Sequence, residues 1–492
     1  MRRSVFVPVP MMPVESIASG GQAGRARRIA RPAEAVCALL LASAFPSLIY
    51  QLSWERALSD ILGNGVAAVA LPLASLLLGL ALGSLAGGAL SERRCFAPLP
   101  IIAALAMASG ALSLAALPMF AVLGVLASGS GLAALAIAAA LALVLISALP
   151  VGASVPSIVD FLKGPRRVGP AVGRVVGIAD CGAAAACLIG GLLWFGLRAP
   201  ELPDAICIAA VINACVACAA LLIHWDARPS SRQPDEPMGS PPVSWRHKPV
   251  LRLAPLLSIA AAIGFVAWSY EVFFFRVVLY AAGSSATALV ATLGAFLIGL
   301  GCGAGEAGRA CKILTRDGTI RRAMGALMKA NLAGILFLPL VDHTAWLDRG
   351  VIGVAVLLTY LAGLCWGKLL PYLAELGIAA DAGARRRVAW LAFAYNAGAA
   401  AGAGATGSAL MAGLGLAASA AMLVVAGLAC AAMLVCALAV PRWEKLLRAS
   451  FVGALALSAM AIIPLGSANV LDRLRDIGAA NAAQVAVEAE RR

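Results

Sequence analysis

This chain is short of charge: Asp, Glu, Lys and Arg make up 13% of its 492 residues, where a water-soluble domain carries about a quarter. Runs free of charge, such as Ala35 to Trp54, Val66 to Leu90 and Ala417 to Val440, extend over 20 residues or more. Each is long enough to cross a hydrocarbon layer roughly 30 Å thick. Lipid cannot satisfy a free backbone amide, so segments of this kind suit membrane helices. A soluble fold is excluded for most of the chain. Histidine is also scarce, with only His224, His247 and His343. No HExxH, paired His/Cys set or Ser–His arrangement stands at a helix end. No catalytic residue, metal or cofactor is therefore expected, and the chain does not read as an enzyme. Cys215 and Cys218 form a CxxC among twelve cysteines, but a zinc site of that type needs a second pair or histidines. These two read as packing residues.

The net charge of +14 would suggest nucleic acid in a soluble protein, so the positions of the charges decide its meaning. Apolar runs and polar breaks predict helices near 35–60, 65–91, 97–124, 131–162, 170–197 and 202–224. A second set follows near 250–281, 285–308, 321–342, 347–378, 386–413 and 415–440, and one more near 446–466. With the N-terminus inside, Arg93, Arg94, Lys163, Arg166, Arg167, Arg174, Arg309, Lys312, Arg316, Arg321, Arg322, Arg385 to Arg387, Arg442, Lys445 and Arg448 fall at cytoplasmic ends. The outer loops before the last helix hold only Arg198 and Arg349. Basic residues in short cytoplasmic loops are a topology signal, and an error of one helix would break the alternation. The surroundings are a lipid bilayer, and nucleic acid is not a partner. The implied organisation is a basic, disordered cytoplasmic tail (1–34), a first six-helix bundle (35–224), a polar cytoplasmic linker (225–249), a second bundle (250–440), an extra helix (441–466) and a short tail (467–492). The expected home is a bacterial-type inner membrane, with the C-terminus periplasmic.

The two bundles echo one another. Tyr50-Gln51-Leu52-Ser53-Trp54-Glu55-Arg56 and Tyr270-Glu271-Val272-Phe273-Phe274-Phe275-Arg276 share Tyr, an acid or amide, an aromatic and Arg at an offset of 220. The same offset relates Gly63, Gly79 and Gly83 to Gly283, Gly299 and Gly303. Gly152 and Pro156 match Gly367 and Pro371 at 215, and Asp180 and Gly182 match Asn396 and Gly398 at 216. An even number of helices per copy makes the repeats parallel, as in the two halves of major-facilitator transporters. Glycines four apart, as at Gly79, Gly83 and Gly87, share one helix face where backbones approach closely.

These motifs resemble the membrane region of the fused major-facilitator/spermidine-synthase-like proteins over roughly residues 36–440. The carriers are Tyr-[Glu/Gln]-x-x-aromatic-x-Arg, the Leu-Gly and Leu-Gly-x-x-x-Gly that follow, Gly152-x-x-x-Pro156 and the stretch from Gly173-Arg174 to Gly182. Gly87 to Arg94 loosely resembles the basic loop of major-facilitator proteins. In many such proteins an aminopropyltransferase-like domain follows the helices. Here about 26 residues follow the last one, and they contain no strand with a glycine-rich loop for a nucleotide cofactor.

Six polar residues inside helices are the substrate or coupling candidates, because such groups are costly in lipid and usually face a bundle interior. Arg56 and Arg276 lie about four to five residues from their outer helix ends. They either snorkel to the interface or form a symmetric vestibule for an anionic group. Glu271, roughly 15 Å deep, either pairs with Arg276 or another cation, or changes protonation during transport. Lys368, Asp180 and Asn396 share a depth near the midplane. Lys368 and Asp180 either form an ion pair across the bundles or belong to a proton- or substrate-coupled site. The leading expectation is an alternating-access transporter or exporter of a small polar solute. The apparent excess of Arg and Lys over carboxylates in the cavity favours an anionic or zwitterionic solute. The rival expectation is a membrane scaffold that docks a separately encoded soluble enzyme, such as a spermidine-synthase-like protein.

Overall fold

The computed structural model describes residues 18–62, 66–92, 98–129, 132–163, 167–192, 202–226, 249–282, 285–344, 350–438 and 453. Among them the chain is helical, with no strand. In order come α1 (Ala18–Leu62), α2 (Val66–Glu92), α3 (Pro98–Gly129), α4 (Ala133–Leu162), α5 (Gly169–Leu192) and α6 (Leu202–Asp226). They are followed by α7 (Leu253–Ala282), α8 (Ser285–Ala310), α9 (Arg316–His343), α10 (Gly350–Gly367), α11 (Leu369–Gly377), α12 (Ala384–Ala405) and α13 (Met411–Ala437). Eleven helical stretches are long and apolar enough to cross a bilayer. The remaining long helix, α12, opens on Arg385, Arg386 and Arg387 and packs along α2 and α7. This is an all-α, multi-pass membrane protein.

Three details depart from the sequence-based boundaries. Helix α1 starts at Ala18, so the second part of the expected disordered tail is helical; its Ala, Arg and Gln residues all have high helix propensity. The single helix expected over 347–378 is broken at Lys368. Pro371 offers no N–H to Gly367, and its ring crowds that carbonyl, so the helix cannot pass through unbroken. Between α12 and α13 the path runs through a π-helical turn, Thr406–Leu410. The reversal itself is at Gly415 (φ 75°, ψ 175°), a conformation essentially reserved for glycine. The expected helix near 446–466, the tail after it and most of the 225–249 linker lie outside the described residues.

Packing is organised by glycine. Apolar surface drives little association inside lipid, so helices gain from close backbone approach instead. A Cβ at Gly79, Gly83 or Gly87 on α2 would overlap a carbonyl oxygen of Leu145, Leu149 or Ala153 on α4. On α8 the same holds for Gly299 and Gly303 against Tyr360 and Leu364 of α10. The most extensive pairings are α2 with α4, α8 with α10, α7 with α12, α5 with α8 and α2 with α12. The last two join α1–α6 to α7–α13. At the α5–α8 seam Gly173 and Gly177 lie against Gly308, Gly301 and Gly305. At the α2–α12 seam the Ser84 hydroxyl donates to the Ala389 carbonyl at 3.2 Å.

Candidate functional site

Between the two seams the bundles part around a cavity of about 230 Å³. Its walls come from α1, α2, α3, α4 and α5 on one side and α7, α8, α10, α11 and α12 on the other. Of the six candidate residues, Asp180 and Asn396 line it. They stand about 16 and 18 Å along α5 and α12 from the helix starts, at 1.5 Å per residue, and thus near mid-depth. Tyr395, also in the wall, lies near enough to Asp180 to feel its charge. Trp54, Trp268 and Trp366 line the cavity as well, and hydropathy and spacing single out none of the three as site residues.

The other four candidates lie elsewhere. Arg56 is exposed. Arg276 sits with its guanidinium 4.5 Å from the centre of the Tyr280 ring, one turn along its own helix. Lys368 pairs with Glu306 of α8 at 2.9 Å, which corrects the expected Lys368–Asp180 pair. The break after Gly367 puts Lys368 at the joint of two helices, where the nearer carboxylate is on the neighbouring α8. Glu271 is 1% exposed and is not paired with Arg276 among the described residues.

Glu271 has an unexpected companion. Glu55 of α1 is 2% exposed and accepts a hydrogen bond from Gln51 at 3.1 Å. Both carboxyls lie in the neighbourhood of the Cys187 thiol of α5. One oxygen of each, Oε2, has no hydrogen-bond partner among the described residues. In the sequence Glu55 stands out only as part of a repeat motif. The signal that could have marked it is a carboxyl one helical turn from Gln51 in an apolar helix.

The end of the molecule where α4 stops and α5 starts is built differently. Here the bundles are joined by ion pairs, and this end carries the basic loops. Arg385 of α12 binds Asp160 of α4, with Nε 2.9 Å from Oδ2, and Lys163 also contacts Asp160 at 2.5 Å. Lys163 donates to the Asp381 carbonyl at 3.2 Å. Arg167 reaches Glu375 at 3.6 Å and donates to the Cys311 and Leu314 carbonyls. Glu375 accepts in turn from the Gly169 N–H at 3.1 Å. Arg387 pairs with Asp381 in the α11–α12 loop.

No protein-family profile and no curated protein sequence matches this chain. Solved structures do. The human organic anion transporter MFSD10 (TETRAN) superposes with a TM-score of 0.53 at 14% identity, covering 82% of this chain and 99% of its own. The fold is major-facilitator-like. A variant of the E. coli fucose:proton symporter FucP gives a TM-score of 0.52, again at 14% identity, covering 82% of this chain and 98% of its own. In this major-facilitator-like frame the central cavity and the ion-paired end are two places where the bundles meet through polar side chains.

Proposed function

We propose that this chain is a secondary transporter of a small polar solute, working by alternating access as its two bundles rock about the central cavity. The observation that carries the reading is a mid-depth cavity walled by both bundles, with the ion pairs between the bundles, among the described residues, gathered at one end. The likeness to two transporters supports it. Their solutes, an organic anion and fucose, differ from one another, so the fold leaves the solute open.

The two bundles are parallel repeats in this reading. The recurring pairings α2–α4 with α8–α10, and α1–α5 with α7–α12, support that. So do two aromatic stacks at the expected offset: Trp54 on Phe120 (4.6 Å between ring centres) and Phe274 on Phe337 (4.2 Å). The ion-paired face is cytoplasmic, as the Lys and Arg content of its loops argues. Asp180 and Asn396 meet the solute. Glu271, together with Glu55, supplies the coupling group, changing protonation as the far end opens. Arg56 and Arg276 stand towards the outer mouth, and Lys368 braces the α10–α11 joint through Glu306.

The test is solute counterflow in proteoliposomes holding the full-length chain. Saturable exchange of a preloaded solute, absent from empty liposomes, is expected. A stoichiometric soluble enzyme recovered from native membranes, with no flux for any solute class, would favour the scaffold instead.

A further inference from the structure

The preference for an anionic solute rests on Arg56, Arg276 and Lys368 facing the cavity, and none of the three lines it. We infer that the cavity is a binding site for an organic cation, with Asp180 as counter-charge and an aromatic wall of Trp54, Trp268, Trp366, Tyr50 and Tyr395. This deepens the transporter reading and rests on it.

The charge inventory is one-sided. No Lys, Arg or His among the described residues lines the cavity, and Asp180 is the acid that does. The basic groups that might have neutralised it are engaged elsewhere. Lys368 is on Glu306, Arg167 on Glu375 and Arg385 on Asp160. Among the described residues Asp180 forms no ion pair. An ionisable residue at mid-membrane is normally matched by a partner, and the remaining place for one is the cavity itself. An anionic solute would meet a carboxylate and no cation. A neutral polyol would draw nothing from the charge that a bound cation stabilises on Asp180.

The rest of the wall fits the same ligand. Indole and phenol faces attract cations through the ring quadrupole, Trp most strongly, and the attraction grows when water is excluded. Each indole is held by an aromatic neighbour outside the lining: Trp54 stacks on Phe120, Trp268 meets Phe296 edge-on at 5.8 Å, and Trp366 lies 6.0 Å from Tyr270. Trp54 and Trp366 are 1% exposed and Trp268 9%, so the rings are firmly held and a cation would meet them as a fixed wall. The remaining lining is mostly apolar, which suits a cation with a hydrophobic body rather than a bare metal ion. Asp180, Trp54 and Tyr50 belong to the first bundle and Trp268, Trp366 and Tyr395 to the second, so a bound cation bridges the two.

The test is equilibrium binding to the full-length protein in lipid nanodiscs, read by tryptophan fluorescence and calorimetry. The probes are benzyltrimethylammonium, benzyl alcohol and benzoate. Saturable binding in the order cation, then neutral, then anion is expected. Asp180→Asn should weaken the cation at least tenfold, Asp180→Glu should retain most of it, and Trp366→Leu should weaken it several-fold. Trp225→Leu, at a residue 57% exposed and outside the cavity, should change nothing. Benzoate binding as tightly as the cation, or Asp180→Asn binding the cation unchanged, overturns the proposal. If Asp180→Asn does not yield a monodisperse protein, the probe order in the wild type and the Trp366→Leu result decide. Cation binding without counterflow supports the site while removing the transport reading. Flux of benzoate without cation binding does the reverse.

Discussion

The two ends of the molecule solve one problem in opposite ways. At the basic end the bundles are tied by charges that are all matched: Asp160 has Arg385 and Lys163, and Glu375 has Arg167 and the Gly169 amide. Towards the far end each bundle contributes a carboxyl, Glu55 and Glu271, and neither has a cation among the described residues. Matched charge holds a seam shut until water or a competing partner arrives. In the transporter reading proposed above, the matched end is the latch and the other end the switch.

The largest effect expected from breaking this contrast is at Glu375, whose side chain is 10% exposed. Glu375→Ala leaves the Gly169 N–H without its acceptor and takes a carboxylate from Arg167, which keeps the Cys311 and Leu314 carbonyls; such a loss costs about 2 kcal/mol. A thermal melt of the purified protein should register that loss, with Glu375→Gln recovering part of it by keeping the amide contact. A smaller effect, of opposite sign, is expected at the far end. Changing Glu55 and Glu271 together to Gln removes buried carboxyls that have no cation, so stability should hold or rise by about 1 kcal/mol. A loss there larger than at Glu375 would invert the assignment of latch and switch.

The smallest effect is a pH dependence in the α11–α12 loop. Burial raises the Asp381 carboxyl, but the hydrogen bond and charge of Arg387 outweigh it and hold the group below the usual carboxylate range. A carboxyl held low in the folded chain is protonated more readily when unfolded. Its contribution is therefore complete above about pH 4 and is lost as the pH falls through the lower folded value. Because Asp381 is 39% exposed, solvent screening limits the effect to a few tenths of a kcal/mol, on the order of an ordinary surface pair. Comparing acid melts of the wild type with Asp381→Asn measures it, and the variant should show the shallower fall.

The helices were legible because apolar length alone decides what crosses a bilayer. Their glycine faces were legible too, since spacing by four marks the side where α2 meets α4 and α8 meets α10. What hydropathy did not encode was direction. In helices apolar all round, such as α2 and α10, no polar stripe marks the buried side. Arg56, Arg276 and Lys368 could therefore be given the right depth but not the right partner. Asp180 and Asn396, which line the cavity, stand out in the sequence because they correspond across the repeat at mid-depth. Glu55 was missed because the Tyr-to-Arg motif draws attention to its ends. The break at Lys368 is written in Pro371, which serves in the sequence only as a repeat marker.

The central claim is that the bundles open at one end as they close at the other. It is tested most directly by spin-label distances in a cysteine-free background, with one label pair at Phe161 and Ile313 near the basic end and another at Leu132 and His343 near the far end. All four residues are exposed. The account predicts two populations at each end, anticorrelated, with Asp160→Ala lengthening the basic-end distance while shortening the far-end one. A single distance at both ends, unmoved by breaking the Asp160–Arg385 pair, would contradict it.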